Sequence, residues 1–186
     1  TRSAREFVDV NRNPYRIQSN CGNFNMKKIG IPIKELKAID ALNRNGVAYL
    51  LIGGYAMRFY GADRKAKDVD LLLRNSTDNT ANLFVALQEI VGHRLGLTQE
   101  ALGEPCKQVQ LKDDGYEMEM LTSIEGLDFD TANHARELAV EDGVEVPVVS
   151  RKHLLLIKQV ASTKDASRRQ KELSDIEFLK ASLAER

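Results

Sequence analysis

The 186-residue sequence predicts an α/β domain with a small helical C-terminal part, and three stretches carry that prediction. An apolar run, Val47-Ala48-Tyr49-Leu50-Leu51-Ile52, stops at Gly53-Gly54 and passes into a segment whose apolar or aromatic positions include Ala56, Met57, Phe59 and Tyr60, which reads as strand, glycine turn and helix. A second apolar run, Val69 with Leu71, Leu72 and Leu73, reads as a buried strand that carries Asp68 and Asp70 two residues apart. Helical patterns over about 151–161 and 168–183 close the chain.

Taken in order, residues 1–30 are polar, rich in Arg and Asn, and interrupted by Pro14, Gly22 and Gly30, which predicts an irregular N-terminal arm. A core over 31–150 follows, and residues 151–186 form a helical segment packed on it. From Ile33 the pattern is helical, with Leu36, Ile39 and Leu42 at three-residue steps and Gly46 as a C-terminal stop. The strand over 47–52 comes next. After the second strand, Ser76 or Thr77 caps a helix whose apolar face is Leu83, Phe84, Leu87, Ile90 and Val91, and Gly92 ends it. Residues 93–106 contain Gly96, Gly103 and Pro105, and predict a loop with a short helical piece. Val109-Gln110-Leu111 and 116–124 flank Asp113-Asp114-Gly115, a hairpin signal. Alternation there puts Tyr116, Met118 and Met120 on one face, with Glu117, Glu119 and Leu121 on the other. A helix over about 129–140 and a strand over 144–149 lead to Ser150, the cap of the next helix.

Lys plus Arg and Asp plus Glu stand at 27 each, so the chain lacks the overall basic excess of many nucleic-acid binders. Cys21 and Cys106 give neither a metal-ligand spacing nor a disulfide framework. With no signal sequence and no long apolar span, the sequence reads as cytoplasmic and without a membrane partner. His93, His134 and His153 share no metal-ligand spacing and read as structural. Arg168-Arg169, near Lys164 and Lys171, form the best local basic cluster, a solvated helix start first and an RNA- or triphosphate-binding patch second.

The chemistry-bearing pattern is the combination of the first two strands. Period-two geometry puts Asp68 and Asp70 on one face of their strand. Two carboxylates side by side on an apolar strand repel and lose hydration, and a hard divalent cation with oxygen ligands, Mg²⁺ above all, compensates them. At Gly53 and Gly54 the missing Cβ atoms let backbone N–H groups at a helix start approach an anion.

Leu51-Ile52-Gly53-Gly54-Tyr55-Ala56, then Arg64, then Lys67-Asp68-Val69-Asp70-Leu71-Leu72 resembles the signature of the nucleotidyltransferase superfamily that includes DNA polymerase β. Within it the chain is most similar to small bacterial AbiEii-like nucleotidyltransferases, many of them toxins. The likeness spans about 34–180, because Leu154-Leu155-Leu156-Ile157-Lys158 and Lys171-Glu172-Leu173-Ser174-Asp175-Ile176 resemble that group's closing Lys and Lys-Asp-x-x-Asp-Ile pattern.

The resemblance implies a polymerase β-like fold, a mixed sheet flanked by helices. It implies that Asp68 and Asp70 bind two Mg²⁺ ions, with a third carboxylate from a neighbouring strand: Glu119, with Glu117 the close second. It implies that Gly53 and Gly54 hold the β- and γ-phosphates of an NTP and that Lys158 meets the triphosphate. Arg64 and Lys171 are further phosphate or substrate contacts. As a residue at the edge of an apolar helix face, Lys158 also reads as a snorkelling surface lysine. The chain departs from the family pattern in three places: a glutamate where Asp is commoner, Gly54 where many members have Ser, and Ala66 where the AbiEii-like branch often has Thr.

The leading expectation is a Mg²⁺-dependent enzyme that moves an NMP from an NTP to a hydroxyl of a macromolecule, tRNA or protein. The resemblance adds a toxin role in a toxin–antitoxin or phage-defence pair, with an antitoxin protein as partner. The alternatives are a non-catalytic nucleotide-binding module of the same fold and a small-molecule antibiotic adenylyltransferase.

Overall fold

A computed structural model describes residues 28–92, 96, 98–112, 115–164, 167 and 169–184. Most of the expected N-terminal arm, His93, the Asp113-Asp114 turn and Arg168 lie outside the described residues.

The first helix, α1 (Ile33–Arg44), buries Leu36, Ile39 and Leu42, as its three-residue spacing requires, and the chain turns back at Gly46. It feeds β1 (Tyr49–Leu51), α2 (Gly53–Phe59) and β2 (Val69–Leu73). Helix α3 (Thr77–Val91) starts at Ser76, whose hydroxyl accepts the Asn79 N–H, and ends at Gly92. A one-turn helix, α4 (Gln99–Leu102), precedes β3 (Gln108–Gln110) and β4 (Met118–Leu121), which pair antiparallel.

One sequence expectation is corrected here. In place of a single helix over about 129–140 there is a short α5 (Phe129–His134) and then a strand, β5 (Glu137–Glu141), paired antiparallel with β6 (Val144–Val148). The strand wins because Leu138 and Val140 point outward while Ala139 and Glu141 are buried, and because Asp142-Gly143, both at positive φ, closes a tight hairpin turn. Asp142-Gly143 is the same kind of signal as Asp114-Gly115.

The six strands form one mixed sheet in the order β3-β4-β2-β1-β6-β5. β2 runs antiparallel to β1 and parallel to β4, in a register that sets Asp70 beside Glu119 and Leu72 beside Leu121. One face carries Val69, Leu71, Met118 and Met120, all fully buried. Tyr116, on that same face, bonds the Ile90 carbonyl of α3 and lies under the Lys34 ammonium of α1, so these two helices cover it. The opposite face carries Asp70, Glu119 and Leu121. There the chain ends in two helices, α6 (Arg151–Lys164) and α7 (Arg169–Ala184), with Arg151 at the start of α6 donating to Ser182 near the end of α7, as in an antiparallel pair.

Candidate active site

The sheet sets the site because β1 hands its ladder directly to Asp70: the Ile52 N–H donates to the Asp70 carbonyl at 2.9 Å. The next residue, Gly53, takes φ +63°, and a Cβ there would stand 1.9 Å from Asp70 Oδ2. No other residue fits without moving the aspartate. The Gly54 N–H, at the start of α2, lies toward the Asp70 carboxylate and favours its charged form. A Cβ on Gly54 would sit 3.0 Å from the Ala66 Cβ and 4.0 Å from Arg64 Nε, which puts the Arg64 guanidinium against the glycine turn.

Asp68 and Asp70 flank the buried Val69 and share a face with Glu119, across the parallel β2–β4 pairing. Burial pushes the Asp70 carboxyl up to about 6, and repulsion from Glu119 and then Asp68 adds to it; Lys158 and the Gly54 N–H act the other way. Glu117 is exposed, and its backbone rather than its carboxylate is engaged: its N–H donates to Glu35 and its carbonyl accepts from Val69.

Glu119 is held on three sides. Gln108 Nε2 donates to its Oε2 at 2.9 Å, and Gln110 Nε2 and Lys112 Nζ reach its Oε1, each at 3.0 Å. The same ammonium lies 3.8 Å from Asp68 Oδ1. Sequence reasoning missed these three residues. The signal was their period-two spacing along a strand and the turn after it, opposite an acidic strand.

Lys158 is 5% exposed, which overturns the reading of it as a snorkelling surface lysine. Its ammonium lies 2.9 Å from Glu172 Oε2 and 2.8 Å from Asp175 Oδ2, both on α7. Asp175 Oδ1 in turn accepts from Arg64 Nη1 at 2.6 Å. Glu172 and Asp175 were part of the closing motif in the sequence but not among the candidates. Lys171 is exposed in the first turn of α7, whereas Lys158 is sealed. His134 bonds the Asp130 carbonyl and His153 the Ser150 hydroxyl, both local contacts within a turn.

Residues 34–183 match the family described as "Nucleotidyl transferase of unknown function (DUF2204)". The chain belongs to this nucleotidyl transferase family. Among solved structures it is similar to an antigenic nucleotidyltransferase-like protein from Paracoccidioides brasiliensis, with 20% identity and a TM-score of 0.51 over 78% of this chain and 74% of that one. That likeness shows a nucleotidyltransferase-like fold. No curated protein matches the chain.

In this nucleotidyl transferase family member no described helix is long and apolar enough to cross a membrane. Among the described residues no three His, Cys, Asp or Glu side chains converge as a preassembled metal cluster. The residues nonetheless fit a hard divalent cation, because Asp68 and Asp70 offer carboxylate oxygens on one face and Asp70 carries charge that the protein alone does not fully offset. Beyond Glu119 on the same face, Leu121, Ile124, Ile157 and Val160 line a groove of about 640 Å³, with the exposed Lys107 and Lys164 at its margin.

Proposed function

We propose that this protein is a Mg²⁺-dependent nucleotidyltransferase that moves an NMP from an NTP to a hydroxyl of a macromolecule, tRNA or protein. The observation that carries the reading is the packing of Gly53 and Gly54 directly against Asp70, with Glu119 beside it in register: a glycine turn suited to phosphates and a row of carboxylates meet at one end of the sheet.

In this reading Asp68 and Asp70, with Glu119 completing the acidic face, hold the divalent cation. When bound, the cation neutralises charge on the triphosphate and on the α-phosphate as it reacts. The turn at Gly53-Gly54 and the Arg64 guanidinium receive the β- and γ-phosphates. Asp175 orients Arg64 and Lys158 toward that end of the sheet, and Lys158 adds positive potential at Asp70. The acceptor oxygen forms a bond to the α-phosphorus as the bond from that phosphorus to the bridging oxygen breaks. Pyrophosphate leaves with the electron pair, and the hydroxyl proton passes to solvent. An in-line nucleophile enters opposite the leaving group, and the flank opposite the glycine turn is the Glu119 side, where the groove opens. A toxin role with an antitoxin partner belongs to the same proposal and rests on the AbiEii-like motifs alone.

The test is incubation with each α-³²P-labelled NTP, Mg²⁺, and total cellular RNA or lysate protein, beside an Asp68→Ala/Asp70→Ala variant. Label on RNA or protein only with the intact aspartates is the expected result, and it names both base and acceptor class. Equal label with the variant overturns the assignment of the aspartates. No label with any NTP turns the reading to a nucleotide-binding module of the same fold.

A further inference from the structure

We propose that Lys112 supplies the positive charge at the Glu119 end of the acidic face, so that the site takes one divalent ion, at Asp68 and Asp70, rather than two. The inference rests on the reading of those aspartates as the cation site.

A carboxylate offers about four acceptor directions. At Glu119 three are taken: Oε1 by Gln110 and Lys112, Oε2 by Gln108. A metal ligand needs an oxygen free to approach the ion at about 2.1 Å; one direction on Glu119 Oε2 stays open, but on the Oε1 side, between Glu119 and Asp68, the Lys112 ammonium is already in place. The three donors are not scattered surface residues. Gln108 and Gln110 stand two apart on β3, with Gln110 directly opposite Glu119, and Lys112 follows two residues on, at the turn after the strand. The chain at Lys112 is fixed by its neighbour, since the Leu111 N–H donates to the Met118 carbonyl and the Leu111 carbonyl accepts from Tyr116. An edge strand and the turn that follows it, which together place three donors on one carboxylate, are arranged around an anion.

The charge balance agrees. Asp68, Asp70 and Glu119 against the Lys112 ammonium leave two negative charges, which one divalent ion offsets, while Glu117, which also acts on Lys112, is exposed to solvent. Arg64 and Lys158 do not alter this, because they are matched by Glu172 and Asp175. Lys112 spans from Glu119 to Asp68 and so does electrostatically what a second ion bridging those carboxylates would do.

Mn²⁺ titration of the full chain, counted by electron paramagnetic resonance of the free ion, tests this without reference to turnover. The expected counts are one Mn²⁺ for the wild type and for Lys112→Arg, and two for both Lys112→Met and Lys112→Gln. Two ions of similar affinity in the wild type, or one ion in both neutral variants, overturns the proposal. The underlying reading fails separately: an Asp68→Ala/Asp70→Ala variant that binds Mn²⁺ like the wild type removes the cation site itself. Lys112 is exposed and its side chain fills no core space, so the variants are expected to melt within about 2 °C of the wild type in the absence of metal.

Discussion

Lys158 and Asp175 meet at 2.8 Å with both side chains only 6% exposed, and the other oxygen of Asp175 holds Arg64. One carboxylate therefore anchors two cations, while Glu172 meets Lys158 at 2.9 Å. Breaking a buried ion pair from one side leaves an uncompensated charge and costs about 3–5 kcal/mol. Asp175→Ala is expected to fall in that range, and Glu172→Ala to cost less because Arg64 keeps its partner. Urea unfolding of both variants decides it; an equal or larger loss for Glu172→Ala contradicts the shared-anchor arrangement.

Asp70 makes the fold pH-dependent with a definite sign. Its carboxyl titrates at about 6 in the folded chain against an ordinary 3.8, so the folded state binds the proton more tightly than the unfolded one. The penalty is absent below about pH 4, grows as the pH rises through 6, and reaches about 3 kcal/mol above it. Asp70→Asn is expected to be more stable than the wild type at pH 8 by up to that amount and indistinguishable from it at pH 3.5. Thermal melts across this range are the check, and a variant less stable at pH 8 would refute the burial argument.

The two glycines of the turn are predicted to differ. Gly53→Ala meets a left-handed backbone, worth about 1–2 kcal/mol, and a collision with Asp70 Oδ2. Gly54→Ala only presses on Ala66 at 3.0 Å. Mn²⁺ affinity is expected to fall at least ~10-fold in Gly53→Ala and by less in Gly54→Ala. Equal losses would mean that the approach of Gly53 to Asp70 is not what shapes the cation site.

Away from the site, Asn79 locks the far end of the β1–β2 pair. Its side chain accepts the Ala48 N–H at 2.6 Å and donates to the carbonyls of Ala48 and Arg74 at 3.0 and 2.8 Å. Asn79→Ala strands these partly buried backbone groups, and a loss of about 2–3 kcal/mol is expected by denaturant unfolding. A loss under about 0.5 kcal/mol would show that the backbone finds other partners there.

Much of this was legible in residue order. The spacing of Leu36, Ile39 and Leu42 specified α1, Gly53-Gly54 specified the turn, and the period-two placement of Asp68 and Asp70 put both carboxylates on one face, because helix and strand periodicities are local properties of the chain. The β5–β6 hairpin was legible too, through Asp142-Gly143, and was lost only because a helical pattern from 129 was extended past its end.

What the sequence determined by itself is therefore most of the elements outside 129–141, the buried faces of α1 and β2, and the pairing of a glycine turn with an Asp-x-Asp strand. Glu117 and Glu119 share a face, so alternation gave no means of choosing which one stands beside Asp70. Only the parallel register of β2 with β4 decided that it is Glu119. Only the docking of α6 against α7 turned Lys158 from a lysine at the edge of an apolar run into a sealed partner of Glu172 and Asp175. Only the pairing of β3 with β4 brought Gln108, Gln110 and Lys112 onto Glu119. Register and helix docking are settled by contacts between residues distant in the chain, whose combined burial and charge pairing no local period encodes.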